Sequence, residues 1–192
     1  MGSHPQIDFS SLIAAVAREL AKRRITFMLI GGQAVLLHGR PRFTEDIDIT
    51  LGIDPGGLPD VLEACATLAL EPLPEDPEGF VRNTFVLPVR HSESGIRVDL
   101  VFSTTPYESQ AIARAVPVEV GGEAVPFSTA EDLVIHKLFA GRPLDWEDAV
   151  SVVRRQKGVL DWDYIERWAA EFASVPGREK LPGEVARLRE EA

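Results

Sequence analysis

The stretch TFMLIGGQAVLLHGRPRFTEDIDITL, residues 26–51, decides how the rest of the chain is read. The apolar run Phe27-Met28-Leu29-Ile30 has the length of a buried strand and ends abruptly at Gly31-Gly32. Gln33 to His38 then has helical character without a β-branched run, and Gly39 and Pro41 stop it. The spacing therefore predicts a strand, a glycine turn and a short helix. From Glu45 to Leu51 polar and apolar residues alternate strictly. Successive strand side chains point to opposite faces, so Asp46, Asp48 and Thr50 share one face while Ile47, Ile49 and Leu51 share the other.

Two carboxylates side by side over an apolar underside repel each other, and a cation between them relieves the repulsion. A cluster of carboxylate oxygens suits a hard ion such as Mg²⁺ or Mn²⁺. The glycine pair just upstream allows main-chain N–H groups to approach phosphate oxygens with no Cβ in the way. Together these features suggest a metal-bound nucleoside triphosphate as ligand.

The pattern of apolar run, Gly31-Gly32, thirteen residues from Gln33 to Glu45, then Asp46-Ile47-Asp48-Ile49 resembles the signature of the nucleotidyltransferase superfamily typified by DNA polymerase β. The flank Arg42-Phe43-Thr44-Glu45-Asp46-Ile47-Asp48 looks like the bacterial abortive-infection (AbiEii-like) and toxin-antitoxin (MenT-like) branch. The resemblance implies an α/β (α+β) nucleotidyltransferase fold. It also implies a third carboxylate on a neighbouring strand, the acids together holding two Mg²⁺ (or Mn²⁺) ions ~4 Å apart.

Composition bounds the reading. A chain of 192 residues, 45% hydrophobic and 26% charged, suffices for one compact globular domain with a modest extension. It has no apolar run long enough to span a bilayer and no apolar signal core near the N-terminus, and its single cysteine, Cys65, permits no internal disulfide. A reducing cytoplasm is the expected location, with no membrane partner. Cys65 itself reads as a small buried helix residue. The net charge of -10 argues against a generally basic nucleic-acid binder, although a local arginine patch would still serve RNA. Met1-Gly2-Ser3-His4 reads as an expression remnant and is given no part in the fold.

Along the chain, Asp8 or Ser10 caps a first helix whose apolar positions are Leu12, Ile13, Val16 and Leu20. Pro55-Gly56-Gly57 is a turn, Leu58 to Leu70 a helix, Glu71 to Gly79 a surface loop, and Phe80 to Val89 a strand. A hairpin leads into Ile96 to Phe102, where Ile96, Val98, Leu100 and Phe102 fall on one face and Arg97, Asp99 and Val101 on the other. By itself Asp99 is a polar residue on an outer face; the resemblance implies that it is the third carboxylate. Tyr107 to Val116 reads as a helix, and Val118-Glu119-Val120 with Val125-Pro126-Phe127 as two short edge strands about Gly121-Gly122.

Ser128 is expected to cap the next helix, with Glu131 completing a capping box. Lys137 interrupts the apolar stripe of that helix and must either carry its charge out to solvent or point it at negative groups. The segment Glu131 to Asp148 resembles the second signature of the abortive-infection nucleotidyltransferases. That resemblance implies that Lys137 contacts the triphosphate or the acidic cluster and that Asp148 lies at the edge of the same pocket. Asp145 is read as the N-cap of a helix through Trp146, Ala149, Val150 and Val153. His38 and His136 lack metal-ligand spacing and read as packing residues. A last helix starts near Asp161 or Asp163, and the charged tail from Arg178 forms a docked or frayed helix.

The expectation is thus a small mixed sheet with helices behind it over residues 1–127 and a helical portion over 128–192. Asp46, Asp48 and Asp99 would hold the metal ions. Gly31, Gly32, Arg42, Thr44, Lys137 and Asp148 would serve the nucleotide, Lys137 also taking part in catalysis; plainer roles for Arg42 and Thr44 are a solvated loop charge and a strand-entry residue. The reaction expected is nucleotidyl transfer to an acceptor hydroxyl on RNA, such as a tRNA end, by a toxin-antitoxin type enzyme with a cognate antitoxin or toxin partner. The alternatives are a small-molecule acceptor such as an aminoglycoside, a protein hydroxyl, or a non-catalytic nucleotide-binding regulator.

Overall fold

The structure, a computed structural model, describes residues 8–191; Met1 to His4, set aside above, and Ala192 at the end of the charged tail lie outside them. The described residues form two compact units, one of 8–29 and 44–127, the other of 30–43 and 128–191.

The first unit is built on a seven-stranded mixed sheet. Its strands are β1 (Phe27–Leu29), β2 (Asp46–Leu51), β3 (Leu70–Pro72), β4 (Val86–His91), β5 (Arg97–Phe102), β6 (Val116–Val120) and β7 (Glu123–Phe127), in the spatial order β3-β4-β5-β2-β1-β7-β6. β2 is antiparallel to β1 and parallel to β5, and β4–β5 is the expected antiparallel hairpin. Alternation works as read: Ile47, Ile49 and Leu51 on β2 and Val98, Leu100 and Phe102 on β5 are essentially inaccessible, so the apolar underside of both central strands is core. Helix α1 (Phe9–Lys22) starts at Asp8, whose carboxylate accepts from Ser11 N at 2.8 Å, and buries Leu12, Ile13, Val16 and Leu20. It packs chiefly against β6 and β7.

Several elements of this unit depart from expectation. Helix α3 (Leu58–Thr67) stops early, because Ala69 takes a left-handed φ of 51° and Leu70 opens the edge strand β3. The anticipated loop and strand over 71–89 contain helix α4 (Pro77–Thr84) instead: Asp76 accepts from Gly79 N at 2.9 Å, and Pro77 is pre-set for the first turn. Only after Phe85, at φ 59°, does β4 begin. Helix α5 (Pro106–Arg114) ends before Val116, which is already in β6. β7 is no edge strand, since it pairs with β6 on one side and in parallel with β1 on the other.

The second unit is helical. Helix α2 (Gly31–His38) follows β1 directly, and both glycines are its first residues rather than a preceding turn. Gly31 makes the change of direction in one residue, at φ 63°. Then come α6 (Ala130–Ala140), α7 (Pro143–Arg155), α8 (Trp162–Phe172) and α9 (Leu181–Arg189). The cap of α6 is Thr129, not Ser128; its hydroxyl accepts from Asp132 N at 3.1 Å, while Ser128 is fully buried. Either hydroxyl suits an N-cap, and tertiary placement chose between neighbours. The tail helix α9 is docked: Leu181, Val185 and Leu188 are all buried.

Candidate functional site

The first unit brings together the three acids that sequence placed on two strands. β2 and β5 run parallel in register, with Asp46 beside Arg97 and Asp48 beside Asp99. One carboxylate oxygen from each of Asp46, Asp48 and Asp99 lies within 4.8 Å of the others, and all three residues are half-buried. That separation is the span across which carboxylates co-ligate one hard cation, each at roughly 2.0–2.6 Å. The strand pleat sets it, because adjacent strands stand ~4.8 Å apart and like-facing residues recur every second position.

Two further side chains shape this cluster. Thr44 Oγ1 donates to Asp46 Oδ1 at 2.9 Å and so fixes that carboxylate. Arg97 forks onto Asp99, with Nε donating to Oδ1 at 2.8 Å and Nη2 to Oδ2 at 3.0 Å. The Asp99 hydrogen bond raises the Arg97 guanidinium above its ordinary pKa; burial opposes the rise, and the charges of Asp99, Asp46 and Asp48 add to it. Sequence reading placed Arg97 on the face of Asp99 but gave it no role.

The second unit carries the remaining sequence candidates. Gly31 and Gly32 stand at the N-terminus of α2, which has no side-chain cap. Main-chain donors at such an end suit an anion. Lys137 is 5% exposed and does not reach solvent. Its ammonium lies 3.0 Å from Asp145 Oδ1 and 2.9 Å from Asp148 Oδ2. Asp148 also accepts a fork from Arg42, Nε to Oδ1 and Nη2 to Oδ2 at 2.9 Å each. Asp145 is not the N-cap of α7 but its third residue, folding back to accept from Arg142 N at 3.2 Å and from Arg142 Nε at 2.6 Å. It is buried because it is a partner of Lys137, a pairing across two helices that no local capping rule reveals. Burial pushes both carboxyls up, but the hydrogen bonds from Arg142 and Lys137 to Asp145, and from Arg42 and Lys137 to Asp148, outweigh it and hold them below the usual range.

A second buried pair went unread in the sequence: Tyr164 Oη donates to Asp132 Oδ1 at 2.7 Å, joining α8 to α6. The packing residues behave as expected. His38 Nε2 donates to Ser128 O at 2.8 Å, and burial pushes its pKa down. Burial likewise pushes the Cys65 thiol up to about 12, so it is no nucleophile.

Residues 10–180 match the model of a family described as nucleotidyltransferase of unknown function (DUF6036). No curated protein has a significantly similar sequence. Among solved structures the chain is similar to the antibiotic-resistance factor ANT(2'')-Ia, at 16% identity and a TM-score of 0.53, over 94% of this chain and 91% of that one. It is similar also to an antigenic nucleotidyltransferase-like protein from Paracoccidioides brasiliensis, at 16% identity and a TM-score of 0.55, over 92% and 91%. A third is the lincosamide antibiotic adenylyltransferase LnuA in its lincomycin-bound form, at 15% identity and a TM-score of 0.51, over 73% and 94%. At such identities the likeness is one of fold, and it does not single out the abortive-infection branch. Among the described residues no helix is long and apolar enough to cross a membrane.

Proposed function

This chain belongs to that family of nucleotidyltransferases of unknown function, and from that premise we propose that it moves a nucleotidyl group from a nucleoside triphosphate to an acceptor hydroxyl. The acceptor oxygen bonds to the α-phosphorus as the bond to pyrophosphate breaks, and the hydroxyl proton is lost to a carboxylate or to solvent. The observation that carries this reading is the convergence of Asp46, Asp48 and Asp99 from two parallel strands. The donor set is all oxygen, anionic and half-buried, which fits Mg²⁺ or Mn²⁺. A divalent cation bound there supplies Lewis-acid neutralisation of the charge that develops on the transferring phosphate.

The chain's own groups have separate tasks. Asp46 and Asp48 on β2 and Asp99 on β5 hold the cation, and Thr44 keeps Asp46 turned toward it. Gly31 and Gly32 offer main-chain donors to phosphate oxygens. Arg42 is the cation offered to the nucleotide, and Asp148, onto which it forks, orients it beforehand; Lys137, buried between Asp145 and Asp148, acts by holding Asp148 in place.

RNA is the acceptor we favour. The second unit has an open cleft of about 780 Å³ whose lining includes Arg40, Trp146, Ser151, Arg154 and Arg155. Its charged lining is these three arginines against Glu147 and Glu191, with Arg154 pairing to Glu191 at 2.6 Å, so it offers an acidic chain a modestly basic local patch to which backbone phosphates can bind. A small polycationic acceptor is the second reading, favoured by the net charge of -10 and by the antibiotic adenylyltransferases with which the fold is shared. Incubation with α-labelled nucleotides and Mg²⁺, separately with total RNA, lysate protein, and aminoglycosides or lincosamides, separates these acceptors. Label confined to RNA supports the first reading, and label confined to the small molecules replaces it with the second. Nucleotide binding by calorimetry without pyrophosphate release from any acceptor would instead make the chain a regulator. Growth arrest on expression supports a toxin role, and normal growth counts against one.

A further inference from the structure

Helix α7 turns one stripe of side chains toward the segment that follows α2, and each member holds a different residue of it. Asp148 is followed at three and seven positions by Ser151 and Arg155, so the three share a helix face. Arg155 Nη1 donates to Gly39 O at 2.6 Å, Ser151 Oγ accepts from Arg40 N at 3.1 Å, and Asp148 takes the fork from Arg42. Between α2 and β2 the chain forms no helix or strand, so it takes its course from contacts of this kind.

The serine is the informative member. A hydroxyl inside a helix commonly bonds back to a carbonyl of the preceding turn, and Ser151 Oγ does so, donating to Asp148 O at 2.7 Å. With its single proton spent there, the oxygen is left as an acceptor, and it receives the main-chain N–H of Arg40, 111 residues away along the chain. A ring closes: from the Asp148 carboxylate to the Arg42 guanidinium, along the backbone to Arg40, and through Ser151 to the carbonyl of Asp148. The fit is close. A Cβ at Gly39 would stand 2.5 Å from Ser151 Oγ and 3.1 Å from Val152 Cγ2.

We propose that Ser151 is a positioning residue for the nucleotide, fixing the backbone at Arg40 so that Arg42 is held on Asp148 in the geometry in which it is offered to phosphate. The inference rests on the reading of Arg42 as the cation that meets the nucleotide. Ser151 touches no reacting atom and acts through Arg42.

The test is calorimetric titration of the full chain with ATP, GTP, CTP and UTP, each with Mg²⁺, followed by the variants with whichever nucleotide binds. Ser151→Ala is expected to weaken binding about five-fold, the population shift that one hydrogen bond of ordinary net strength produces. Its unfolding midpoint should change little, because Arg40 is exposed and water can replace the lost acceptor. In an Arg42→Gln background the same serine change should leave affinity unaltered, an outcome that a merely structural role does not give. Gly39→Ala, which drives the hydroxyl aside from the loop, should give a similar loss, and adding it to Ser151→Ala should cost little more. Wild-type affinity in Ser151→Ala with weakened binding in Arg42→Gln overturns the positioning and leaves Arg42 its role. Equal losses from the serine change with and without Arg42 overturn it as well. No binding of any of the four nucleotides, or wild-type affinity in Arg42→Gln, overturns both.

Discussion

Replacing Lys137 by methionine tests the energetics of the second unit directly. The lysine side chain is 6% exposed and lies between carboxylates that are 2% and 4% exposed, at 3.0 and 2.9 Å. Methionine keeps most of the apolar stem but leaves Asp145 and Asp148 buried without their shared cation. Breaking a buried ion pair by removing one partner costs roughly 3–5 kcal/mol. Here Arg42 still forks onto Asp148, and Arg142, itself 74% exposed, still reaches Asp145. Those arginines offset part of the cost, so the expected loss is at the lower end, about 3 kcal/mol. For chains of this size that corresponds to a fall of about 6–12 °C in unfolding midpoint. Thermal and urea unfolding at pH 7 measure it, with the helical signal reporting the unit concerned. The pH dependence supplies a second readout. Both carboxyls are held below the ordinary range, so their stabilisation is fully present above about pH 4, the unfolded carboxylate value, and is lost as pH falls through the lower folded values. Without the ammonium those folded values rise, and the variant begins to lose stability at higher pH than wild type. A loss under about 1 kcal/mol, or superimposable acid profiles, would refute the account of Lys137 as the centre of a buried ion network.

Other outcomes follow from single contacts. Asp48→Asn should lower nucleotidyl transfer by about three orders of magnitude, the value of several kcal/mol of charge stabilisation, with little change in unfolding midpoint; transfer at the wild-type rate would remove Asp48 from the site. Tyr164→Phe should cost about 1–3 kcal/mol, because Asp132 is fully buried and loses a 2.7 Å hydrogen bond, and an unchanged urea midpoint would count against that bond. Cys65 should resist alkylation in the folded chain and react fully only after denaturation; rapid labelling at pH 8 would contradict its burial.

Much of the site was legible because it is written in short-range periodicity. Alternation placed Asp46 and Asp48 on one face of β2 and Asp99 on the outer face of β5, and the apolar faces of the same strands identified the core. The same rule put Arg97 on the face of Asp99, but alternation does not say which side chains on a face pair. Where the sequence misled, local signals competed on nearly equal terms. Asp76-Pro77 is a helix start as well as a loop, and Ser128 and Thr129 are equally good caps.

The amino-acid sequence alone determined which residues are apolar-faced, which are acidic and at what interval, since a two-residue repeat is a property of the strand itself. Only the tertiary structure decided that β2 and β5 lie parallel in register, closing three carboxylates to within 4.8 Å. It alone decided that residues 30–43 cluster with the C-terminal helices and that Lys137 meets Asp145 and Asp148. Strand register and the pairing of buried charges depend on groups distant along the chain, brought together by the burial of apolar faces that carry no record of which neighbour they will find.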